Sequence, residues 1–255
     1  MTASQRIASQ RLVVVHPDAQ VLAAAAAARL ITKLLDLQSQ QSPSHIVLTG
    51  GTVGIATLAQ VAASPLKDAV DWTEVHVWWG DERYVPAGDK DRNEVQAQEA
   101  LLDHLPLLPQ ENIHRVLPAV DGVSVEQAAQ AYAEELAKFA APGAAAPAFD
   151  VLMLGMGPDA HVASLFPGHP GLNVSGSATA GIENSPKPPP LRVSLTFEAI
   201  QGAKEVWIIA SGAEKAPAVA AGLVGAPVVE APVAGAVGTQ RTLWLIDTTS
   251  AGTED

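Results

Sequence analysis

Short apolar runs typical of β-strands alternate with helical patterns along most of this chain, and this alternation limits its fold more than any other feature. Repeated strand-then-helix units bury their strands most readily in a mostly parallel sheet that helices cover on both faces. Strands are predicted at residues 12–16, 45–49, 75–79, 112–116, 149–155, 191–195, 205–210 and 242–246. We therefore predict the α/β fold class, with one domain over residues 1–255 and a frayed tail at 248–255.

The helical patterns carry start signals that place them on the chain. Helices are predicted from Asp18 to about residue 37, from the glycine turn at 50–54 to about 62, and at 93–104, 124–140 and 213–221. Asp18 caps the first helix, and Ser124 with Gln127 forms a capping box. The stretches 80–92 and 157–190 are predicted to be polar or irregular loops. A loop as long as 157–190 is usually functional or disordered.

Composition excludes several classes of protein. The 255 residues include no cysteine, which rules out a disulfide scaffold, a thiolate metal site and a cysteine nucleophile. The net charge of −12 makes the average surface repel nucleic acid and anionic lipid, so neither is expected as a partner. The apolar runs are too short to span a bilayer, and the N-terminus lacks an apolar signal core. We expect a cytoplasmic protein, and no pattern specifies its oligomeric state.

Ligands of parallel α/β sheets bind beyond the carboxyl ends of the strands, so the residues that follow each strand are the candidate site. Gly50, Gly51 and Thr52 follow the second strand and open a helix. Their backbone and the helix N-terminus suit a phosphate group. The turn is not a P-loop, because no Gly-Lys-Ser/Thr follows. A plain strand-to-helix turn is an equally good interpretation of this motif alone.

Three charged residues follow the third predicted strand at 81–83. Arg83 can hold carboxylate-like or phosphate oxygens with a two-pronged contact. Asp81 can accept hydrogen bonds from sugar hydroxyls or orient a base. From this segment alone, a solvated loop with a local ion pair is the simpler interpretation.

The loop after the central strand contains the candidate chemistry. His161 can take and return a proton near neutral pH, and Asp159 can fix its tautomer. Gly157 belongs to the same loop and is placed among the substrate-binding residues. The stretch 155–160 also fits a dinucleotide fingerprint, but Pro158 interrupts it and the expected acidic residue after a second strand is missing. We therefore favour a catalytic histidine loop.

Two further cations lie near predicted strands, and other catalytic motifs are missing from the sequence. Arg192 opens a strand and Lys215 follows one. Either is a candidate phosphate ligand or an ordinary surface cation. The sequence has no GxSxG nucleophile elbow and no HExxH zinc helix. The seven histidines are scattered, without the spacing of metal ligands.

Five segments together resemble the glucosamine-6-phosphate isomerase/6-phosphogluconolactonase superfamily. They are LTGGTVG, WWGDERYVP with DRNEVQA, FDVLMLGMGPDAHVASLFPGHP, ENSPKPPPLRVSLT and SGAEKAPAV, in the family's order over about residues 45–220. The resemblance implies a Rossmann-like three-layer sandwich of the NagB type with a mostly parallel sheet. It also implies hydrolysis of 6-phosphoglucono-1,5-lactone in the oxidative pentose phosphate pathway, without metal or organic cofactor.

The resemblance also ranks the activities. Deaminases with this fold carry Asn-Glu-Pro after the histidine segment, whereas residues 164–167 here are Ser-Leu-Phe-Pro and contain no carboxylate. A lactonase is favoured, with a non-catalytic sugar-phosphate-binding module next and an aminosugar-phosphate deaminase last. The chain departs from the family in having Ala160 where lactonases have glycine. If that position needs a positive φ, alanine would be strained by about 1–2 kcal/mol.

The expected mechanism follows from this resemblance and from the positions of the residues at the strand ends. His161 activates a water for attack on the lactone carbonyl and then protonates the leaving ring oxygen. Arg83 stabilises the developing oxyanion. The turn at 50–52, Arg192 and Lys215 hold the 6-phosphate. The substrate is an anionic phosphosugar lactone.

Overall fold

The computed structural model describes residues 10–253. The predicted absence of a signal core therefore falls largely outside the described residues, as do the last two residues of the predicted tail. Six strands form a fully parallel sheet in the order β1-β9-β8-β5-β2-β3. The strands are β1 (Gln10–His16), β2 (Ser44–Leu48), β3 (Val75–Trp79), β5 (Val151–Gly155), β8 (Glu205–Ala210) and β9 (Arg241–Asp247).

Helices and a second sheet cover the two faces of this parallel sheet. The helices are α1 (Ala19–Gln38), α2 (Thr52–Ala63), α3 (Asn93–Ala100), α4 (Val125–Ala137), α5 (Phe197–Gly202), α6 (Ala216–Val224) and α7 (Thr248–Ala251). One buried apolar cluster joins the sheet to α1, α2 and α3, and another joins its opposite face to α4, α5 and α6. Trp78 and Trp79 are adjacent in β3 and enter opposite clusters. The prediction of an α/β sandwich with a mostly parallel sheet is confirmed.

The second sheet corrects the two predicted loops. β4 (Asp81–Arg83), β6 (Thr179–Ile182) and β7 (Arg192–Leu195) form an antiparallel sheet in the order β4-β7-β6. The stretches 80–92 and 157–190 therefore each contain a strand. β4 is three charged residues and β6 contains a glycine, so neither has the apolar run that predicts a strand. Pairing with β7 supplies the backbone hydrogen bonds that define both.

Other predicted elements differ at their ends. Residues 112–116 are not a strand, because Ile113 forms only an isolated bridge with Val77 and the Arg92 side chain takes the carbonyl of Val116. The predicted helix 93–104 ends at residue 100 and continues as a 3-10 turn. Residues 213–215 are likewise a 3-10 turn before α6, and α5 was not predicted.

The beginning of the predicted tail is ordered by a cap. Thr248–Ala251 forms a short helix because Asp247 and Ser250 make a reciprocal capping box, in which the Asp247 carboxylate accepts from the Ser250 amide at 2.8 Å. Ser250 is fully buried. The prediction of a frayed end is therefore wrong for these residues. Within residues 10–253, no helix is long and apolar enough to cross a membrane.

Candidate active site

A cleft of about 360 Å³ lies at the carboxyl ends of β2 and β5. These neighbouring strands mark the point where the strand order reverses, which is where open α/β sheets bind ligands. Its walls are formed by Thr49, Gly50, Gly51, Thr52, Val53, Asp81, Arg83, Asn93, Gly155, Met156, Gly157, Pro158, His161, Ala163, Arg192, Glu214 and Lys215. The structure thus brings together all the predicted site residues except Asp159, which lies behind His161.

Asp159 orients the ring of His161. The ring Nδ1 lies 2.6 Å from Asp159 Oδ1, and because a carboxylate only accepts, Nδ1 carries the proton and Nε2 keeps its lone pair. Burial alone would raise the pKa of Asp159, but hydrogen bonds from His161 and Lys187 outweigh it and hold the pKa below its ordinary value. A Cβ at residue 157 would overlap both side chains, so this close packing requires Gly157.

The residue before His161 has the backbone conformation that favours glycine. Ala160 has φ of +65° and is 4% exposed. Its amide donates to the Gly157 carbonyl at 3.0 Å, and its carbonyl accepts from the Val233 amide at 3.0 Å. The strain anticipated from the sequence is therefore present, and backbone hydrogen bonds on both sides of Ala160 hold the turn in place.

Arg83 reaches the cleft through a set of contacts with α3. Its Nη1 donates to Asn93 Oδ1 at 2.8 Å and to the Asp91 carbonyl at 2.7 Å. The Asn93 amide group donates in turn to the Asp81 carbonyl at 2.8 Å. The Arg83 Nε is buried without a hydrogen-bond partner among the described residues. The guanidinium lines the cleft, where its positive charge can face an anionic ligand.

A buried carboxylate fixes the strand that carries Arg83. Glu82 accepts from the backbone amides of Arg83, Asn93 and Glu94 at 2.7–2.9 Å, which joins β4 to the start of α3. Glu82 is 1% exposed. Burial raises its pKa to about 7, against the opposing effects of Arg92 and of the three amides. Glu82 therefore holds the arginine in place from behind.

Arg192 lines the cleft but is only 5% exposed. Its Nε and Nη2 donate to the carbonyls of Lys187, Pro188 and Pro189 at 3.0–3.2 Å, and its Nη1 lies 3.8 Å from Asp81 Oδ2. Ser164 also donates to Asp81 Oδ2, at 2.6 Å. Arg192 thus organises the 187–190 loop in addition to lining the cleft.

The start of helix α2 and Lys215 offer anion donors to the cleft. Helix α2 begins at Thr52 without a side-chain cap, and Gly51, Thr52 and Val53 face the cleft, so its first amides are available to a ligand. Gly50 packs against the Asn93 side chain so closely that no Cβ would fit. Lys215 also lines the cleft, and burial lowers its pKa while neighbouring Glu214 opposes that effect. This part of the cleft is suited to a phosphate.

Sequence reasoning assigned no role to three polar residues of the site: Asn93, Ser164 and Lys187. Asn93 and Lys187 lie in the segments DRNEVQA and ENSPKPPPLRVSLT, which carry the family resemblance. The signal was therefore present in the sequence. The contact of Asn93 with Arg83 and that of Lys187 with His161 become visible only in the three-dimensional structure.

Comparisons with known proteins agree on one family. Residues 17–244 match the family described as glucosamine-6-phosphate isomerases/6-phosphogluconolactonase. A 6-phosphogluconolactonase of Streptomyces coelicolor is 53% identical over 93% of this chain and 92% of its own length. One from Mycobacterium tuberculosis is 46% identical over 93% of this chain and 96% of its own.

A solved structure extends this agreement to the fold. The 6-phosphogluconolactonase of Trypanosoma brucei superposes with a TM-score of 0.80 at 28% identity, covering 97% of this chain and all of its own. The sequence match, the parallel sheet and the position of the cleft at its switch point all agree. The chain belongs to the glucosamine-6-phosphate isomerase/6-phosphogluconolactonase family.

Proposed function

We propose that this enzyme hydrolyses 6-phospho-D-glucono-1,5-lactone to 6-phospho-D-gluconate, with His161 as the general base. The assignment of the base rests on the hydrogen bond between the His161 ring and Asp159. Asp159 holds its Nδ1–H, so the lone pair on Nε2 is the free proton acceptor beside a cleft rich in anion donors. The names of the close relatives support the lactone as the substrate.

The proposed reaction has two steps. His161 Nε2 takes a proton from water, whose oxygen attacks the lactone C1 while the carbonyl π electrons move to its oxygen. Arg83 stabilises that oxyanion. The tetrahedral intermediate then collapses, the bond between C1 and the ring oxygen breaks, and the imidazolium returns its proton to the ring oxygen. The carboxylic acid formed loses its proton to solvent at neutral pH.

The remaining wall of the cleft suits the 6-phosphate. We assign it to the amides at the start of α2, to Gly50 and Gly51 and to Lys215, with Arg192 contributing as a further cation that lines the cleft. Asp81 is placed to accept hydrogen bonds from sugar hydroxyls. With the phosphate fixed on this wall, the lactone ring extends toward His161 and Arg83.

The test is hydrolysis of freshly generated lactone, coupled to oxidation of the acid product and compared with an enzyme-free blank. His161→Ala should lower turnover by about 10²- to 10⁴-fold while leaving the fold intact. His104→Ala removes an exposed histidine and is the matched control. Near-normal turnover by His161→Ala would remove His161 from the role of base.

The two alternative functions give different results in the same experiments. A non-catalytic binding module would bind 6-phosphogluconate in calorimetry and hydrolyse no lactone. A deaminase would release ammonia from glucosamine 6-phosphate. Residues 164–167 contain no carboxylate where a deaminase carries Asn-Glu-Pro, so we expect no ammonia.

A further inference from the structure

One cation of the active site has no part in the mechanism above. The Lys187 Nζ lies 3.0 Å from Asp159 Oδ1 and 3.3 Å from His161 Nδ1. Since Nδ1 carries the proton donated to Asp159, the approach of the ammonium to Nδ1 brings two N–H donors together and is not a hydrogen bond. Lys187 therefore shares the carboxylate with the histidine and also faces its ring.

The backbone of Lys187 is held on both sides, so this contact is built into the fold. Its amide donates to Ser185 Oγ at 3.3 Å, and its carbonyl accepts from that hydroxyl at 2.9 Å and from Arg192 Nη2 at 3.2 Å. The Ser185 amide donates to the Pro190 carbonyl, which closes the loop. The side chain is 38% exposed, yet it leaves a loop of fixed shape toward Asp159.

The charge of Lys187 opposes that of Asp159 at the ring. Asp159 stabilises an imidazolium, whereas an ammonium at 3.3 Å destabilises one. Because the Lys187 side chain is 38% exposed, we take the strong screening of bulk water, at which a unit charge at this distance shifts a neighbouring titration by about one pH unit. The other charged groups of the cleft are Asp81, Arg83, Arg192, Glu214 and Lys215. None of them is within hydrogen-bond distance of the His161 ring among the described contacts.

We propose that Lys187 is a positioning residue that counterbalances Asp159 and so sets the pH at which His161 takes up a proton. The carboxylate orients the ring, and the charge of Lys187 opposes the effect of that carboxylate on the imidazolium. The imidazolium formed in the first step is a stronger acid beside Lys187, which favours return of the proton to the ring oxygen. This catalytic meaning rests on the proposed function.

The test removes the charge of Lys187 and keeps a side chain of similar length. In Lys187→Met, the ring-proton NMR signal of His161 should titrate about one pH unit higher than in the wild type. That signal is assigned by its loss in His161→Ala. The acid limb of the kcat/KM profile should move in the same direction. Lys187→Arg keeps the charge and should follow the wild type.

Two further variants serve as controls for this experiment. Lys138→Met removes a lysine whose partner is Glu135 on α4, remote from the cleft, and should leave the His161 titration unchanged. Lys187→Gln is a second neutral variant in case the methionine variant fails to fold, and it should shift the titration as Lys187→Met does. Circular dichroism checks the fold of each.

The outcomes separate this proposal from the proposed function. An unchanged His161 titration in both neutral variants would overturn the proposal whatever the activity. A raised KM with an unmoved pH profile would overturn it in favour of a substrate ligand, and so would a Lys187→Arg titration that follows the neutral variants. If the wild type fails to hydrolyse the lactone, the proposed function is wrong. The titration of the His161 ring would still test the effect of the Lys187 charge.

Discussion

Ala160 allows a sharp test of how the turn before His161 is stabilised. Replacing it by glycine relieves a positive φ of +65°, which is worth about 1–2 kcal/mol. The same change removes a methyl group from a 4% exposed site in the larger apolar cluster, which costs about 0.8 kcal/mol. Glycine also gains freedom in the unfolded chain, which costs about 0.4–1 kcal/mol more.

These contributions are similar in size and opposite in sign. We therefore expect the free energy of unfolding of Ala160→Gly to lie within about 1 kcal/mol of the wild type. The two backbone hydrogen bonds of Ala160 do not depend on its side chain, so the turn should persist. This balance explains how alanine can occupy a position whose φ is positive.

Ala163 offers a matched comparison in the same loop. It also has a positive φ, of +48°, but its methyl group is only partly buried, so glycine there loses less packing. Ala163→Gly should be the more stable variant by about 0.4 kcal/mol, half of one buried methyl group. Urea unfolding followed by tryptophan fluorescence measures both. A change beyond about 1.5 kcal/mol in either direction for Ala160→Gly would contradict the balance of these terms.

Three other outcomes follow from the structure. Burial and His76 lower the pKa of His45 to about 4, so below pH 6.5 the unfolded chain takes up a proton that the folded chain does not. The free energy of unfolding should therefore fall by about 2 kcal/mol between pH 7 and 5 on account of His45. Urea unfolding of His45→Gln should lack that part of the fall. A variant with the same pH dependence as the wild type would contradict this prediction. Comparing variant and wild type cancels Glu82, whose raised pKa acts in the opposite direction. Gly50→Ala should displace Asn93 and with it Arg83, lowering kcat by about tenfold or more in the lactone assay, whereas normal kcat would show that Asn93 is not needed. Lys215→Met should raise KM with little change in kcat, and an unaltered KM would exclude Lys215 as a phosphate ligand.

The parallel sheet could be predicted from sequence because its central strands are buried on both faces. Residues 151–155 and 206–210 are continuous apolar runs, which is the pattern of strands in a covered parallel sheet. Once the strands are placed, their carboxyl ends bring 49–52, 81–83 and 155–161 together, because parallel strands end on one edge. The candidate site could therefore be located without knowing any side-chain position.

The second sheet and the finer contacts could not be predicted in this way. β4 and β6 have three and four residues and are defined by pairing with β7, which lies close to β6 in sequence but far from β4. The contacts of Lys187 with Asp159 and of Asn93 with Arg83 depend on that pairing and on the loop that Arg192 organises. Local pattern contains no information about such long-range partners.

The pairing of β4 with β7 also explains how a chain of net charge −12 can attract an anion. The register places Arg83 directly opposite Arg192, although like charges at such positions destabilise a sheet. Each guanidinium is held apart from the other by acceptors: Asn93 and the Asp91 carbonyl for Arg83, and three loop carbonyls with Asp81 for Arg192. The unfavourable pair is thus kept at the edge of the cleft, where it concentrates positive charge. Since a simple structural role would be met by neutral residues, two facing arginines that both line the cleft support the proposal that this part of the cleft binds the substrate's oxygens.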